Sequence, residues 1–150
     1  MNSKLVVFRG LPGSGKSTMA KKMRDSLVDL GETVGYYEAD MYWIGDDGEY
    51  HFSPERLSDA HAWCRSKVRE ALHNCSVVIV ANTNLTKKEM DLWQQIATSE
   101  NVKIEIFHLK TQYGNVHGVS EETIERMKRK EIDWPGEYVI NAADQEGFEE

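Results

Sequence analysis

Apolar residues along the chain follow two rhythms, one that suits strands and one that suits helices. Residues 4–9 (KLVVFR), 33–37 (TVGYY), Val77–Ala81 (VVIVA) and Lys103–Leu109 (KIEIFHL) are short and rich in β-branched or aromatic residues. Three of these four runs are apolar almost throughout, and such runs bounded by turn residues predict strands covered on both faces. Between them apolar residues return every third or fourth position. Met19/Ala20, Met23, Leu27 and Leu30 mark a helix over 17–30, which Gly31 stops. Leu57, Ala60, Cys64, Val68 and Leu72 mark a second, capped by Ser53 with Pro54 at its first position. Thr86-x-x-Glu89 is a capping box that opens a third, with Met90, Trp93 and Ile96/Ala97 on its inner side. Ser120 caps a fourth that runs to about Lys130, and Pro135-Gly136 is expected to close the structured part. The turn-rich residues 44–53 (IGDDGEYHFS) predict an exposed loop. Strands that alternate with helices in this way predict an α/β sandwich of three layers.

Composition narrows the class. A chain of 150 residues that is 40% hydrophobic and 29% charged suits one globular domain. No apolar run approaches the roughly 20 residues of a membrane helix, and the N-terminal segment reads as a strand and not as a signal peptide. Cys64 and Cys75 form no CxxC pair and no His cluster has metal-ligand spacing, so two reduced thiols and a cytoplasmic location are expected. Seven of the 25 acids follow Lys130, with no Lys or Arg among them, and the 18 that precede it are balanced by 18 bases. The expected organisation is therefore a working domain over 1–131 and an acidic tail over 132–150. A neutral body argues against broad wrapping of nucleic acid, which needs a surplus of cations.

The most specific chemistry lies between the first strand and the first helix. Gly10-Leu11-Pro12-Gly13-Ser14-Gly15-Lys16-Ser17-Thr18 fits G-x-x-x-x-G-K-[ST] at every fixed position. Glycines let the backbone turn until several N–H groups point into one concavity at a helix N-terminus, where an anion is favoured. Lys16 would reach the β- and γ-phosphates of ATP, and the Ser17 hydroxyl would join the shell of a Mg²⁺ ion. The expected fold is thus of P-loop NTPase type, with a parallel sheet of about four to five strands and helices on both faces.

In such sheets ligands bind beyond the carboxyl ends of the strands. Asp40 stands there, after the second strand, as the candidate base that accepts a proton from an acceptor hydroxyl. Glu38 competes for that role. Asn82-Thr83-Asn84 follows the third strand where many P-loop enzymes place an acid for Mg²⁺, which leaves Asp40 as the candidate carboxylate for the metal. Arg126, in the most basic stretch of the chain, is the candidate cation over the transferring phosphate; Lys87 and Lys88 are weaker ones. Trp63 falls off the apolar stripe of its helix and reads as a peripheral core residue or a base contact. His117-Gly118 is a candidate hinge.

Taken together, GLPGSGKST, EADMYW, VVIVANTNLTKKEMDLW and HGVSEETIERMK run in colinear order over roughly residues 4–130. In this they resemble the P-loop family that contains the kinase domain of phage polynucleotide kinase and a group of small ATP-binding relatives. The resemblance implies a parallel sheet, use of ATP and Mg²⁺, and phosphorylation of a hydroxyl on nucleic acid. It also implies that Asp40 is the base, that Lys16 and Ser17 hold phosphate and metal, and that the helix around Arg126 is an arginine-bearing lid. The chain departs from the pattern in three places. Trp43 replaces an Arg that grips a phosphate of the substrate strand, Asn82 replaces an Asp, and a lid arginine expected near Gly114-Asn115 is missing. A related phage kinase that phosphorylates the hydroxymethyl group of 5-hydroxymethyluracil in DNA fits at least as well, with Trp43 stacked on the base. Trp43, Thr83 and Asn84 are the expected substrate contacts.

The sequence thus predicts an ATP- and Mg²⁺-dependent kinase for a hydroxyl on DNA, either a hydroxymethylated base or a 5′-OH end. A small-metabolite or nucleoside kinase and a non-catalytic, ATP-gated binding module remain open. No membrane partner is expected.

Overall fold

The computed structural model describes residues 3–111 and 119–141. Strands β1 (Lys4–Gly10), β2 (Val34–Tyr37), β3 (Val77–Ala81), β4 (Lys103–Leu109) and β5 (Tyr138–Ile140) form one sheet in the order β2-β3-β1-β4-β5. All four pairings are parallel. Helices α1 (Lys16–Asp29), α2 (Leu57–Leu72), α3 (Lys87–Ser99) and α4 (Glu121–Lys130) lie between the strands in sequence, and a 3-10 helix, Ala39–Trp43, follows β2.

Successive side chains of a strand point to opposite faces, and this explains why the inner runs are apolar throughout. Leu5 and Val7 of β1, Val78 and Val80 of β3 and Ile106 of β4 meet α2 and α3 through Cys64, Val68, Met90, Trp93 and Ile96. Val6, Phe8, Val77 and Ile79 face the other way, onto Met19, Ala20, Met23 and Leu27 of α1. Both faces are therefore buried, as a parallel sheet requires. Cys64 and Cys75 are free thiols, and burial pushes the Cys64 thiol up to about 11.

The caps follow the sequence with two differences. Thr86 accepts the Glu89 N–H, but the Glu89 carboxylate bonds the Thr86 hydroxyl instead of reaching back to the backbone. Ser53 and Pro54 open a 3-10 turn, Pro54–Arg56, ahead of α2. That turn rotates Leu57 out of the inner stripe, and Leu57 is exposed while Ala60, Cys64, Val68 and Leu72 are buried.

The larger correction concerns the chain after 131. Three residues, YVI, carry too little periodicity to announce a strand, yet β5 pairs with β4 from Phe107↔Tyr138 to Leu109↔Ile140. Residues 132–141 belong to the body, and the structured part continues past Pro135-Gly136. Three of the seven acids that follow Lys130 have partners inside the fold. Asp133 pairs with Lys110 at 2.7 Å, Glu131 with His108 Nε2 at 3.0 Å, and Glu137 with Arg9 at 2.8 Å.

Arg9 is wholly buried at the end of β1. Its guanidinium also donates to the carbonyls of Asn84 and Leu85, beyond β3, and lies 3.0 Å from Nδ1 of the equally buried His108. Burial pushes the Glu137 carboxyl up, but hydrogen bonds from His108 and Arg9 outweigh burial and hold it below the ordinary glutamate value.

Breaking a buried ion pair leaves the other charge unpaired, at a cost of about 3–5 kcal/mol. Glu137→Gln is expected to destabilise the fold by roughly 3 kcal/mol in urea unfolding at pH 7, and Arg9→Met to cost less in that background than alone. A depressed carboxylate contributes stability above its unfolded value, about 4.3, and loses it as pH falls through the folded value. The difference between wild type and Glu137→Gln is therefore expected to shrink as unfolding is measured from pH 7 towards pH 3.

Candidate active site

The glycine-rich loop joins β1 to α1 at the carboxyl edge of the sheet, and its first residue has no room for a side chain. A Cβ on Gly10 would lie 2.6 Å from the Leu109 carbonyl oxygen and 2.6 Å from Ser14 Oγ. Gly15 caps α1 in the left-handed region (φ 85°), and no side chain bonds to the free N–H groups of the first turn. Ser14 is buried, and its Oγ has no hydrogen-bond partner among the described residues. Burial lowers the tendency of Lys16 to stay charged, which nearby Glu38 opposes, and among the described residues its ammonium bonds to the Leu11 carbonyl alone, at 3.4 Å. A hollow lined by the first-turn N–H groups of α1 and a half-buried, weakly paired cation fits a polyanion such as a nucleotide phosphate chain.

Glu38 stands directly opposite this loop. The Ser17 hydroxyl donates to Glu38 Oε1 at 3.1 Å and the Tyr36 hydroxyl to Oε2 at 2.5 Å. Burial and the Glu38 carboxylate together push the Tyr36 phenol up, and the Arg24 guanidinium sits 5.3 Å from the Tyr36 ring centre. A serine hydroxyl beside a carboxylate is the oxygen donor set that suits Mg²⁺. Of the two carboxylates after β2, it is Glu38 and not Asp40 that touches the Ser17 hydroxyl.

Asp40 lies two residues on, exposed, in the 3-10 helix at the same edge. Its Oδ1 accepts from the Tyr50 hydroxyl at 2.7 Å, and burial together with Asp40 pushes the Tyr50 phenol up to about 12. Asn82 holds this turn in place, because its Oδ1 accepts the Ala39 N–H at 2.8 Å.

Two expected substrate contacts turn out to be structural. Trp43 is 5% exposed and packs in the core between Tyr42 and Phe52, so it offers no open face to a base. Asn84 is buried with φ 45°, and its side chain accepts from the Trp93 indole at 2.8 Å. Thr83 is half-buried beside the loop, with its carbonyl bonded to the Gly10 N–H at 3.1 Å. Trp63 is partly buried against Tyr37 and Tyr42, a peripheral core position.

Arg126 is exposed on α4 and donates to Thr123 of its own helix. Among the described residues, no hydrogen bond or ion pair brings it to the glycine-rich loop. Lys87 is paired with Asp91. The hinge expected at His117-Gly118 and the lid position near Gly114-Asn115 lie outside the described residues. His108, Asp133 and Glu137 converge closely enough to hold a metal, but Arg9 already occupies that cluster with a buried positive charge, so the donor set does not fit one.

Sequence reasoning missed Tyr50. The one available signal was Tyr50 and Phe52 spaced i, i+2 in a loop otherwise rich in acids, which puts both rings on one side of an extended segment.

Comparison with known proteins agrees with this architecture. Human NEDD4-binding protein 2 is 33% identical over 133 residues, 82% of this chain but only 7% of that protein. The structure of Chaetomium thermophilum Kti12 in complex with ADP-AlF3 superposes with a TM-score of 0.68 at 13% identity and covers 95% of this chain and 92% of its own. That of Mycobacterium tuberculosis APS kinase CysC with AMPPNP and APS gives 0.63 at 16% identity and covers 99% and 96%. These likenesses establish a P-loop kinase-like fold; nothing in them points to a phage hydroxymethyluracil kinase. No helix among the described residues is long and apolar enough to cross a membrane. The family model described as chromatin associated protein KTI12 matches residues 3–142, and the chain belongs to that family.

Proposed function

We propose that this protein is an ATP- and Mg²⁺-dependent kinase that moves the γ-phosphate to the hydroxyl of a base-bearing acceptor, a nucleic acid or one of its building blocks. The observation that carries this reading is the convergence of Lys16, Ser17 and Glu38 on the glycine-rich hollow, with Asp40 two residues beyond Glu38 on the same edge. Main-chain amides of residues 13–17 and the Lys16 ammonium would grip the β- and γ-phosphates. Ser17 and Glu38 would hold Mg²⁺, which neutralises charge on the phosphate oxygens. Asp40 orients the acceptor hydroxyl and takes its proton as the acceptor oxygen bonds to the γ-phosphorus. The bond from that phosphorus to the bridging oxygen breaks, and ADP leaves. Arg126 would act only after α4 swings over the site, as a lid that closes on bound nucleotide.

One observation favours a second reading, an ATP-gated binding module. Strand β3 is followed by Asn82, an amide engaged with the Ala39 N–H, where many P-loop enzymes place an acid for Mg²⁺. Incubation with γ-labelled ATP, Mg²⁺ and a panel of 5′-OH oligonucleotides, hydroxymethylated duplex DNA and free nucleosides separates the two. Label on any acceptor supports the kinase; nucleotide binding with no label on any of them supports the module.

Asp40→Asn is expected to lower acceptor phosphorylation by about 10²–10⁴-fold while ATP affinity stays within roughly twofold of wild type. Glu38→Gln is expected to raise the Mg²⁺ concentration needed for half-maximal turnover by about tenfold, as read from a magnesium titration. Turnover by Asp40→Asn equal to that of wild type would remove the proposed base.

A further inference from the structure

Beside Asp40 a short arm projects from the 3-10 helix, closed by an antiparallel bridge between Ile44 and Tyr50. It does more than connect β2 to α2. Tyr50 and Phe52 leave the bridge with their rings nearly parallel, 8° apart in plane and 6.4 Å between centres. Both are half exposed, at 53% and 50%, where large aromatic side chains in a folded chain are ordinarily covered. The pair is also held from beneath, since Phe52 packs edge-to-face with buried Trp43, 5.1 Å between centres at 79°. Tyr50 points its hydroxyl at Asp40 Oδ1. A core tryptophan thus supports an open aromatic face whose polar end touches the candidate base.

Charge limits what this face can receive. Residues 44–52 carry Asp46, Asp47 and Glu49 and no Lys or Arg. The one imidazole in the arm, His51, is paired to Asp47 at 3.1 Å. Phosphates of a strand laid along the arm would meet like charge within a Debye length, with no cation on the arm to neutralise them. Stacking of a neutral ring meets no such obstacle, and aromatic faces hold any base through its π-surface.

We propose that the 44–52 arm is the acceptor subsite, and that it takes a neutral, planar-ringed hydroxyl compound of nucleoside type in preference to a nucleic-acid strand. The ring packs on Tyr50 and Phe52, and the hydroxyl meets Asp40 Oδ2; the Tyr50 hydroxyl bonds to the other oxygen, Oδ1. Tyr50 is in this scheme a positioning residue for Asp40. The inference rests on Asp40 as the base. Transfer is the one written above: a new bond from the nucleoside oxygen to the γ-phosphorus, loss of the bond to ADP, and the proton on Asp40.

The test uses the full chain with ATP and Mg²⁺, and thymidine, 5-hydroxymethyl-2′-deoxyuridine and a 5′-OH oligothymidylate as acceptors. A free nucleoside is expected to be phosphorylated in preference to the oligonucleotide. Phe52→Ala should raise the nucleoside KM by roughly ten- to a hundred-fold with a much smaller change in kcat, and Phe52→Trp should restore it. Tyr50→Phe keeps the ring and loses the hydroxyl, so it should lower kcat by about tenfold and leave KM nearly unchanged. A merely structural role would move both constants together. Asp46→Lys with Glu49→Lys should improve use of the oligonucleotide, most at low salt. Calorimetric binding of the same nucleosides in the presence of AMPPNP separates the two readings. Binding that depends on Phe52 without any phosphorylation would keep the subsite and end the kinase. Phosphorylation that needs Asp40 but is indifferent to Phe52 and Tyr50, or that prefers the oligonucleotide, would overturn the subsite, and so would the absence of nucleoside binding.

Discussion

The guanidinium of Arg9 sits one residue before the phosphate-binding glycines, with no access to water, and its five donors have to be satisfied by protein. The carbonyls of Asn84 and Leu85 take two directions and Glu137 takes another, with His108 alongside. These partners come from the turn after β3, from β4 and from the approach to β5. A single buried charge thus ties the central strand to elements on both of its sides, immediately below the loop that must keep its shape to hold an anion. An apolar residue at this position could fill the space but could not fix three separate backbone segments relative to Gly10. Buried ion pairs are poor sources of net stability and better suited to specifying one arrangement, and here the arrangement specified is the floor of the site.

Above that floor the two carboxylates after β2 divide the work by what they touch. Glu38 faces inward to Ser17 and Tyr36, and Asp40 faces outward to Tyr50. The change from strand to 3-10 helix at Ala39 turns side chains two apart in sequence towards different partners. Asn82 secures that change through the Ala39 N–H. That bond fixes the backbone from which Glu38 and Asp40 diverge.

The first four strands, their alternation with helices and the phosphate loop were legible because each rests on a local pattern: apolar runs, a 3.6-residue stripe, or fixed glycines. Roles set by distant contacts were not legible. Trp43 reads as a free aromatic beside the base, but its burial depends on Phe52 folding back over it. Asn84 reads as a polar tip at the ligand edge, but the Trp93 indole claims it from α3. The acids after Lys130 read as a solvated tail because nothing in sequence says that His108 and Arg9 await them. Both Glu38 and Asp40 were visible as candidates, and only the Ser17 contact shows which of them borders the phosphate loop.

Strand β5 lies at the edge of the sheet but is made last. Chain leaves the ribosome from the N-terminus, and domains acquire structure in that order. Arg9, His108 and the phosphate loop are therefore all synthesised well before Glu137, the acid that balances the buried guanidinium. Until that residue emerges, the nascent sheet carries an uncompensated positive charge at its centre. The floor beneath Gly10 is thus the part of the sheet that gains its full set of partners last.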